Sequence, residues 1–408
     1  SKQMLGFWKK KIGKGKKIQV EFISANPTGE LHIGHGRSAF YGDALSNILK
    51  EAGYKVEKEF YINDSKESVQ IKGLIFTAFR IKKENISSPI KKEKIPYDSE
   101  YLREILNSNK IYYKNVADEI QRHNQEFITN ILGINFDMWF SEEKELRKKT
   151  AFKKTLELLK KRKLIYEKEG AVWLKTSEHN DEEDRVIVRS DGTISYFLSD
   201  IAYHIDKFGR KYNKVIDIWG ADHHGHVKRM QIAKKMLGLK GDLEILISQL
   251  VTLKEGDERK KISKRKGTII LLKDLIKEVG LDAARWFYLD KSLSTHMEFD
   301  MVLAKERSVK NPVYYVQYAC ARMHSILSKS KIKNQKSKLQ LEILKIKPVK
   351  NLVLKLIQFP EIIEDIANDY QVHRLTTYAY ELAKEFSQFY ENVKVIGSEN
   401  EKELITLV

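Results

Sequence analysis

The chain has 408 residues, carries a formal charge of +18 and is 42% hydrophobic. This length allows more than one domain and a substantial core. The positive charge is typical of proteins with a polyanionic partner, although a lysine-rich surface that is simply solvated gives the same balance. Because no apolar run is long enough to cross a bilayer and no signal-peptide pattern is present, we expect a cytoplasmic protein without membrane contact.

The first predicted elements are a strand and a helix joined by a long turn. Residues 17–23 alternate between polar and apolar side chains, which predicts a strand. Apolar residues at helical spacing follow over 44–52, and Gly53 is placed to end that helix. In an open parallel sheet, ligands bind at a strand-to-helix turn, and the helix N-terminus favours phosphate. The pattern therefore predicts a phosphate site within residues 24–37.

Two histidines in this turn suit chemistry at a nucleotide phosphate. His32 and His35 can each donate a hydrogen bond to oxygens on which negative charge builds during transfer at an α-phosphate. Gly34 lies between them and has no side chain, so a flat adenine ring can approach the backbone there. For an isolated His-x-x-His motif, two solvated histidines are the alternative interpretation.

Further elements are predicted in chain order. Strands are predicted over 55–62, 215–219 and 245–253, and helices over 272–279 and 282–288. Residues 67–168 form a charged, mostly helical section, and the pattern is helical from residue 311 onward. Aromatic residues at helical spacing in that last part are expected to lie in its core. The single cysteine, Cys320, excludes internal disulfides, and its apolar surroundings predict a buried thiol.

Two polar clusters follow predicted strands in the second half of the chain. Residues 220–226 combine Asp222 with three histidines, which suggests either a metal site or a contact with substrate; the spacing is not that of a helical ligand pair. Residues 260–267 form a lysine-rich loop in which Lys261 and Lys264 can neutralise phosphates as a leaving group departs. A basic solvated loop is the alternative. Together with the two histidines, the loop favours ATP.

These motifs resemble the two hallmarks of class I aminoacyl-tRNA synthetases. They are His32-Ile-Gly-His35 and Lys261-Ile-Ser-Lys-Arg265, the second with Ile and Arg where the family has Met and Ser. Other segments are similar to arginyl-tRNA synthetases, and the similarity extends over essentially the whole chain; these are residues 24–29, 61–64, 190–204, 218–226 and 311–319. The resemblance implies that ATP activates L-arginine to arginyl-adenylate. Arginine then passes to the 2′-hydroxyl of the terminal adenosine of tRNA(Arg), with release of AMP and pyrophosphate.

The resemblance also implies roles for individual residues. The catalytic groups are His32, His35, Lys261 and Lys264. ATP binding is assigned to His32, Gly34, His35, Gly220, Asp222, Lys261, Ser263 and Lys264. Arginine binding is assigned to Ser24, Asn26, His35, Tyr196, Asp200 and His223, and His226 is placed near the adenosine or the arginine. A guanidinium requires a carboxylate and neutral acceptors, and Tyr196 and Asp200 are four residues apart on one helix face. A core tyrosine and a surface carboxylate are the alternatives.

The fold implied is α/β, a Rossmann-type doubly wound parallel sheet with a connective insertion, followed by an all-α anticodon-binding bundle. Residues 1–66 and 169–310 are expected to form the two halves of the catalytic domain, 67–168 the insertion and 311–408 the bundle. Since the N-terminal domain that contacts the tRNA elbow and the last helices of the bundle are missing, we expect a fragment. It is expected to be a monomer that uses ATP with Mg²⁺ and no zinc.

Two other functions stay open at this point. A small-molecule nucleotidyltransferase would share the His-x-Gly-His turn, but the insertion, the helical C-terminal part and the basic charge argue against it. A non-catalytic RNA-binding paralogue would be expected to lose part of the catalytic set, which is present here. The single cysteine argues against a cysteinyl-tRNA synthetase, which is expected to use a cysteine-rich zinc site.

Overall fold

The computed structural model describes residues 12–84, 97–108, 111–255, 258–260, 270–330 and 340–408. Its strands are β1 (Lys17–Glu21), β2 (Lys55–Ile62), β3 (Met138–Ser141), β4 (Ile165–Lys168), β5 (Ala171–Leu174), β6 (Arg185–Val188), β7 (Lys214–Gly220), β8 (Asp242–Ser248), β9 (Val251–Glu255), β10 (Glu258–Lys260) and β11 (Met297–Asp300). Its helices are α1 (Ile33–Glu51), α2 (Val69–Glu84), α3 (Glu100–Ser108), α4 (Val116–Glu126), α5 (Ala151–Lys161), α6 (Tyr196–Gly209), α7 (His224–Met236), α8 (Leu272–Val279), α9 (Leu281–Leu289), α10 (Met301–Lys305), α11 (Pro312–Lys329), α12 (Lys347–Ile357), α13 (Phe359–Asp369), α14 (His373–Asn392) and α15 (Glu401–Leu407).

Within the described residues, the central sheet has parallel strands in the order β3-β2-β1-β7-β8. Val20, Phe60 and Ile216 are completely buried, as expected for a parallel sheet that is covered on both faces. From β1 the chain passes to one side through β2 and β3, and later to the other side through β7 and β8. The strand order therefore reverses between β1 and β7, and this is where such a sheet binds ligands. The predicted α/β fold class is confirmed.

Helix α1 lies close to its neighbours because it contains glycines at two contact points. A Cβ at Gly42 would lie 2.2 Å from the ring of Phe22, and one at Gly36 would lie 2.8 Å from the ring of Tyr288. No residue with a side chain fits at either contact. The Tyr288 hydroxyl also donates to the carbonyl of Ile33 at 2.7 Å. These contacts hold the first turn of α1, where the predicted phosphate site begins.

The prediction of one strand over 245–253 is wrong, because β8 and β9 belong to different sheets. Between them, the N–H of Gln249 donates to the carbonyl of Leu293 at 3.1 Å. The carbonyl of Gln249 accepts from the buried guanidinium of Arg37 at 3.3 Å. These long-range contacts turn the backbone out of the central sheet. Hydropathy alone does not detect the break, since most residues of 245–253 are apolar on either side of Gln249.

Two smaller sheets account for the other strands. β4, β5 and β6 form an antiparallel sheet, while β9 pairs antiparallel with β10 and parallel with β11. Strand β3 lies within the range predicted for the insertion, 67–168, yet it is an edge strand of the central sheet. The hairpin of β4 and β5 spans the predicted boundary between residues 168 and 169. The domain limits therefore stay predictions.

The helices of the predicted insertion have a hydrophobic core of their own. It includes Leu74 from α2, Leu102 from α3 and Ile120 from α4, all nearly or completely buried. Helix α4 also contacts the turn after β1, because the Asn124 amide donates to the carbonyl of Gly29 at 3.1 Å. This hydrogen bond connects the insertion to the predicted phosphate site.

The C-terminal helices form another core, which includes Phe386 and Phe389 of α14. They are anchored to the sheet domain through Tyr370, whose carbonyl accepts from Tyr41 of α1 and whose hydroxyl accepts from Lys214 of β7 at 2.8 Å. No helix within the described ranges is long and apolar enough to cross a membrane.

The prediction of a buried Cys320 is wrong, because this thiol is exposed. Helix α11 buries Val313, Ala319 and Ile326 instead. Cys320 follows Ala319 directly, and one residue corresponds to about 100° of rotation around a helix. The buried face of the helix, rather than the overall apolar character of the segment, therefore determines the exposure of the thiol. The aromatic residues of this region likewise divide, with Phe386 buried and Tyr318 exposed.

Candidate active site

The predicted site residues that the structure describes come from segments at the carboxyl end of the central sheet. Residues 24–35 follow β1, and residues 220–223 end or follow β7. Helix α6 begins at this same edge and runs back across the sheet to the start of β7. Its first turns, which contain Tyr196 and Asp200, therefore lie at the carboxyl end. The segments therefore lie on both sides of the reversal of strand order between β1 and β7.

The two histidines of the turn form a reciprocal cap at the start of α1. Nδ1 of His32 accepts the N–H of Gly34 at 3.1 Å, and Nδ1 of His35 accepts the N–H of His32 at 3.1 Å. Such a box satisfies backbone N–H groups that a helix N-terminus otherwise leaves without partners. Since each Nδ1 is an acceptor, each ring carries its proton on Nε2. The rings stack with centroids 3.8 Å apart, so two Nε2–H donors are held side by side.

Gly34 is required by the same arrangement. A Cβ at this position would lie 2.9 Å from Cε1 and 3.0 Å from Nδ1 of His32. The sequence interpretation considered only the approach of an adenine ring to Gly34. The structure adds a second reason, because any side chain here would displace an imidazole that the cap holds in place.

The lysine loop begins after β10 and rejoins the described structure beside the same turn. The carbonyl of Ile270 accepts the N–H of Ile33 at 3.1 Å, and the N–H of Leu272 donates to the carbonyl of Leu31 at 2.9 Å. The predicted loop residues Lys261, Ser263 and Lys264 lie outside the described residues. The described residues that follow them, Ile270 and Leu272, are hydrogen-bonded to the histidine turn.

The segment between β1 and the histidine turn has unusual backbone geometry. Ile23 and Ser24 have φ values of 67° and 40°, a region that residues other than glycine rarely adopt. The Ser38 hydroxyl accepts the N–H of Ile23 at 3.0 Å. The Ser24 hydroxyl donates to Glu21 at 2.8 Å and accepts the N–H of Tyr61 at 3.0 Å. These partners hold the backbone in a conformation that is unfavourable on its own.

Asn26 is exposed at this edge, and its side chain is oriented by a neighbour. Its amide oxygen accepts from Nδ2 of Asn63, just beyond β2, at 2.9 Å. The NH₂ group of Asn26 is therefore the end that can donate to a ligand. Asn63 was not assigned a role from the sequence, although it lies in one of the segments that carry the resemblance.

Asp200 has a partner that the sequence did not predict. Its Oδ2 lies 2.7 Å from Nε2 of His226, the last histidine of the 220–226 cluster. The side chain of Asp200 is still 38% exposed, so it is accessible from the site. Tyr196, one helical turn earlier, is 56% exposed. The alternative of a core tyrosine is therefore wrong.

The loop after β7 is the most exposed part of the site. The side chains of Asp222 and His223 are 83% and 58% exposed and lie 3.6 Å apart. A Cβ at Gly220 would lie 2.6 Å from Oδ1 of Asp222, so glycine allows the loop to fold back on itself. Across the described ranges, no group of three His, Cys, Asp or Glu residues is arranged to hold a metal ion.

A buried ionic network lies beneath these exposed groups. Lys207 of α6 donates to Glu21 of β1 at 2.5 Å and to Asp217 of β7 at 2.6 Å. The side chains of Lys207 and Asp217 are completely buried. Buried charges persist only when they are paired and hydrogen-bonded, and here the pairing joins β1, α6 and β7.

The network reaches both parts of the predicted arginine site. Glu21 accepts from Ser24 on one side. On the other side, Nε2 of His204 lies 2.8 Å from Asp217, and Nδ1 of His204 lies 2.7 Å from the carbonyl of Asp200. A continuous series of polar contacts therefore joins Ser24 to the backbone of Asp200.

The electrostatics of the network keep its central pair charged. Burial raises the pKa of Asp217, but the charge of Lys207 and the hydrogen bond from His204 outweigh it and bring that pKa to about 2. Burial likewise opposes the charge of Lys207, yet Asp217 and Glu21 raise its pKa above the usual value. For Glu21, burial outweighs Lys207 and the pKa is raised. Lys207 and Asp217 therefore form a buried ion pair near neutral pH.

This network was not predicted, although the sequence contains a signal for it. Asp217 is a single acidic residue within an apolar strand, which is unexpected unless a cation reaches it, whereas Glu21 lies in an alternating strand and gives no such signal. Asp200, His204 and Lys207 recur at helical spacing of three or four residues, so one face of α6 is polar where a core face is expected. The two patterns together indicate a buried ion pair between the helix and the sheet.

Comparisons with known proteins agree with this geometry. A family described as tRNA synthetases class I (R), catalytic domain, matches residues 2–309, and a DALR anticodon binding domain matches residues 316–408. The arginine--tRNA ligases of Citrifermentans bemidjiense and Bacillus subtilis are 41% and 40% identical to this chain. These alignments cover 95% and 96% of this chain and 73% of each relative.

A solved structure described as an arginyl-tRNA synthetase of Campylobacter jejuni superposes with a TM-score of 0.84 and 32% identity. It covers 99% of this chain and 92% of its own. The two alternative functions are therefore not favoured, because the similarity includes both the catalytic part and the anticodon-binding part. The chain belongs to the arginyl-tRNA synthetases, a family of the class I aminoacyl-tRNA synthetases.

Proposed function

We propose that the site at the carboxyl end of the sheet activates arginine with ATP and charges tRNA(Arg). The main support for this proposal is the reciprocal cap, which fixes the Nε2–H donors of His32 and His35 beside the point where the strand order reverses. In the first step, a carboxylate oxygen of arginine attacks the α-phosphorus of ATP, and the bond from that phosphorus to pyrophosphate breaks. The two histidines donate to the phosphate oxygens on which charge accumulates.

ATP is proposed to lie across the turn that follows β1 and the loop that follows β7. His32, Gly34 and His35 would contact the nucleotide from one side, and Gly220 and Asp222 from the other. Lys261 and Lys264 would neutralise the leaving pyrophosphate, and Ser263 would donate a hydrogen bond to it. The hydrogen bond from Ile33 to the carbonyl of Ile270, which follows these residues in the chain, supports this assignment. Mg²⁺ would enter on the phosphates of ATP, as is usual for this ion. The proposal includes no zinc.

Arginine is proposed to lie between the segment after β1 and the start of α6. Ser24, Asn26 and His35 would contact its carboxylate and amino group, and the NH₂ group of Asn26 is oriented to donate. Tyr196, Asp200 and His223 would contact the side chain, where the carboxylate of Asp200 pairs with the guanidinium.

In the second step, the terminal 2′-hydroxyl of tRNA(Arg) attacks the carbonyl carbon of the adenylate and releases AMP. The helical region after residue 311 is proposed to bind the anticodon, in keeping with the match to an anticodon binding domain. The monomeric state and the cytoplasmic location stay predictions.

Arginine-dependent pyrophosphate exchange, with and without tRNA and against a panel of amino acids, tests the proposal. Exchange is expected with arginine alone among them. Exchange that follows another amino acid, or none with tRNA present, would contradict it. Replacing His35 by Ala is expected to lower the rate by about two to three orders of magnitude, the effect of losing one preorganised donor. An unchanged rate would remove His35 from the mechanism.

A further inference from the structure

The side chain of His226, in the 220–226 cluster, is hydrogen-bonded directly to Asp200, a proposed arginine-binding group. Its Nε2 lies 2.7 Å from Oδ2 of Asp200. The side chain of His226 is 19% exposed, and that of Asp200 is 38% exposed. The histidine is therefore mostly covered by protein, while the carboxylate still faces the site.

The imidazole of His226 is held by aromatic residues from two other elements. It stacks on Trp219 of β7 with ring centroids 5.6 Å apart and an interplanar angle of 29°. Phe197 of α6 contacts it edge to face, with centroids 5.3 Å apart and an angle of 76°. Such aromatic contacts favour one orientation of the ring. Its Nε2 is consequently directed at a fixed point next to Asp200.

Asp200 is held from its backbone as well. Its carbonyl lies 2.7 Å from Nδ1 of His204, whose Nε2 lies 2.8 Å from the buried Asp217. One histidine thus restrains the main chain of Asp200, and another restrains one oxygen of its carboxylate. Among the residues that the structure describes, no side chain or backbone group is hydrogen-bonded to the second oxygen, Oδ1, which can therefore face a ligand.

We propose that His226 is a positioning residue for arginine. By its hydrogen bond to Oδ2, it selects the side-chain rotamer of Asp200 that presents Oδ1 to the guanidinium of the substrate. The inference rests on the proposed role of Asp200 in arginine binding. A carboxylate that is already ordered loses less side-chain entropy when the guanidinium binds, so the restraint increases affinity. The restraint also increases specificity for arginine, because a carboxylate in a fixed orientation can pair only with a planar donor group that approaches from one direction.

His226→Phe and His226→Gln separate this role from simple packing. Phenylalanine keeps an aromatic ring between Trp219 and Phe197 but cannot donate, whereas glutamine places an amide N–H donor at a similar reach. The variants are compared in arginine-dependent pyrophosphate exchange with saturating tRNA, using the full chain. His179→Phe is the matched control, since His179 lies in the turn between β5 and β6 and belongs to none of the groups proposed to bind ATP, arginine or tRNA.

His226→Phe is expected to raise the KM for arginine roughly ten- to thirtyfold, the effect of one hydrogen bond to a charged group. The KM for ATP should change less than about twofold. His226→Gln should keep the KM for arginine within about threefold of the unchanged protein, and His179→Phe should have no effect.

Three outcomes would overturn the inference. An unchanged KM for arginine in His226→Phe would show that Asp200 needs no such restraint. A lowered KM would show that His226 competes with the guanidinium for Asp200. Parallel increases in both KM values, with no rescue by glutamine, would indicate a merely structural role. Failure of the proposed function is distinguishable, because the unchanged chain would then lack arginine-dependent exchange.

Discussion

Replacing Gly34 by Ala tests whether the reciprocal histidine cap is part of the catalytic machinery. The new Cβ would lie 2.9 Å from Cε1 of His32, while ordinary contacts begin at 3.4 Å, so the ring must move by about 0.5 Å. The hydrogen bond from the Gly34 N–H to Nδ1 of His32, now 3.1 Å, would then exceed the useful range. Loss of this cap costs about 1 kcal/mol of stability.

The catalytic effect should exceed the effect on stability. The same movement shifts the Nε2–H donor of His32 away from the phosphate oxygens. Displacing a reacting group by about 1 Å costs roughly a hundredfold in rate, so we expect kcat for pyrophosphate exchange to fall roughly ten- to a hundredfold. The measurement is kcat and the KM for ATP in arginine-dependent exchange, together with unfolding in urea. Gly209→Ala is the control, because no atom lies within 4 Å of a Cβ at that helix position.

The separation of kcat from KM decides between two explanations of Gly34. If its only purpose is to let the adenine ring approach the backbone, alanine will raise the KM for ATP and leave kcat nearly unchanged. That result would refute the argument from the displaced imidazole. A fall in kcat with little change in the KM for ATP would support it.

Three other predictions concern the network and the carboxylate above it. Lys207→Met leaves buried carboxylates without their cation, so the free energy of unfolding measured in urea should fall by about 3–5 kcal/mol. The double variant with Asp217→Asn should recover part of this loss, whereas additive effects of the two substitutions would contradict the pairing. Asp200→Asn should raise the KM for arginine roughly ten- to a hundredfold and affect ATP much less, whereas equal effects on both substrates would indicate misfolding. The pKa of Asp217 is lowered to about 2 from its usual 3.8, so its charge contributes about 2 kcal/mol to the free energy of unfolding above pH 4. This contribution is lost as the pH falls toward 2. Asp217→Asn should therefore flatten the dependence of stability on pH between 4 and 2, and an unchanged slope would refute the assignment.

Where local periodicity alone decides the structure, prediction from the sequence succeeded. Strand β2 has the predicted bounds, 55–62, because alternation and a closing turn are local signals. The strand over 245–253 failed, since its break depends on Arg37, more than two hundred residues earlier in the chain. Cys320 failed for a related reason, because the burial of a helical residue depends on which face its neighbours cover.

The sequence by itself determined the phosphate turn, the histidine pair, the lysine loop and the resemblance to arginyl-tRNA synthetases, because each is a short contiguous motif. Only the tertiary structure decided how the side chains pair: the tautomer of each histidine, the contact of Asp200 with His226, and the buried bond of Lys207 to two strands. The contacts of Asp200 with His226 and of Lys207 with the two strands join residues on different elements. Their geometry follows from the way α6 packs against the sheet, so the polar spacing within α6 indicates that a group is buried but does not identify its partner.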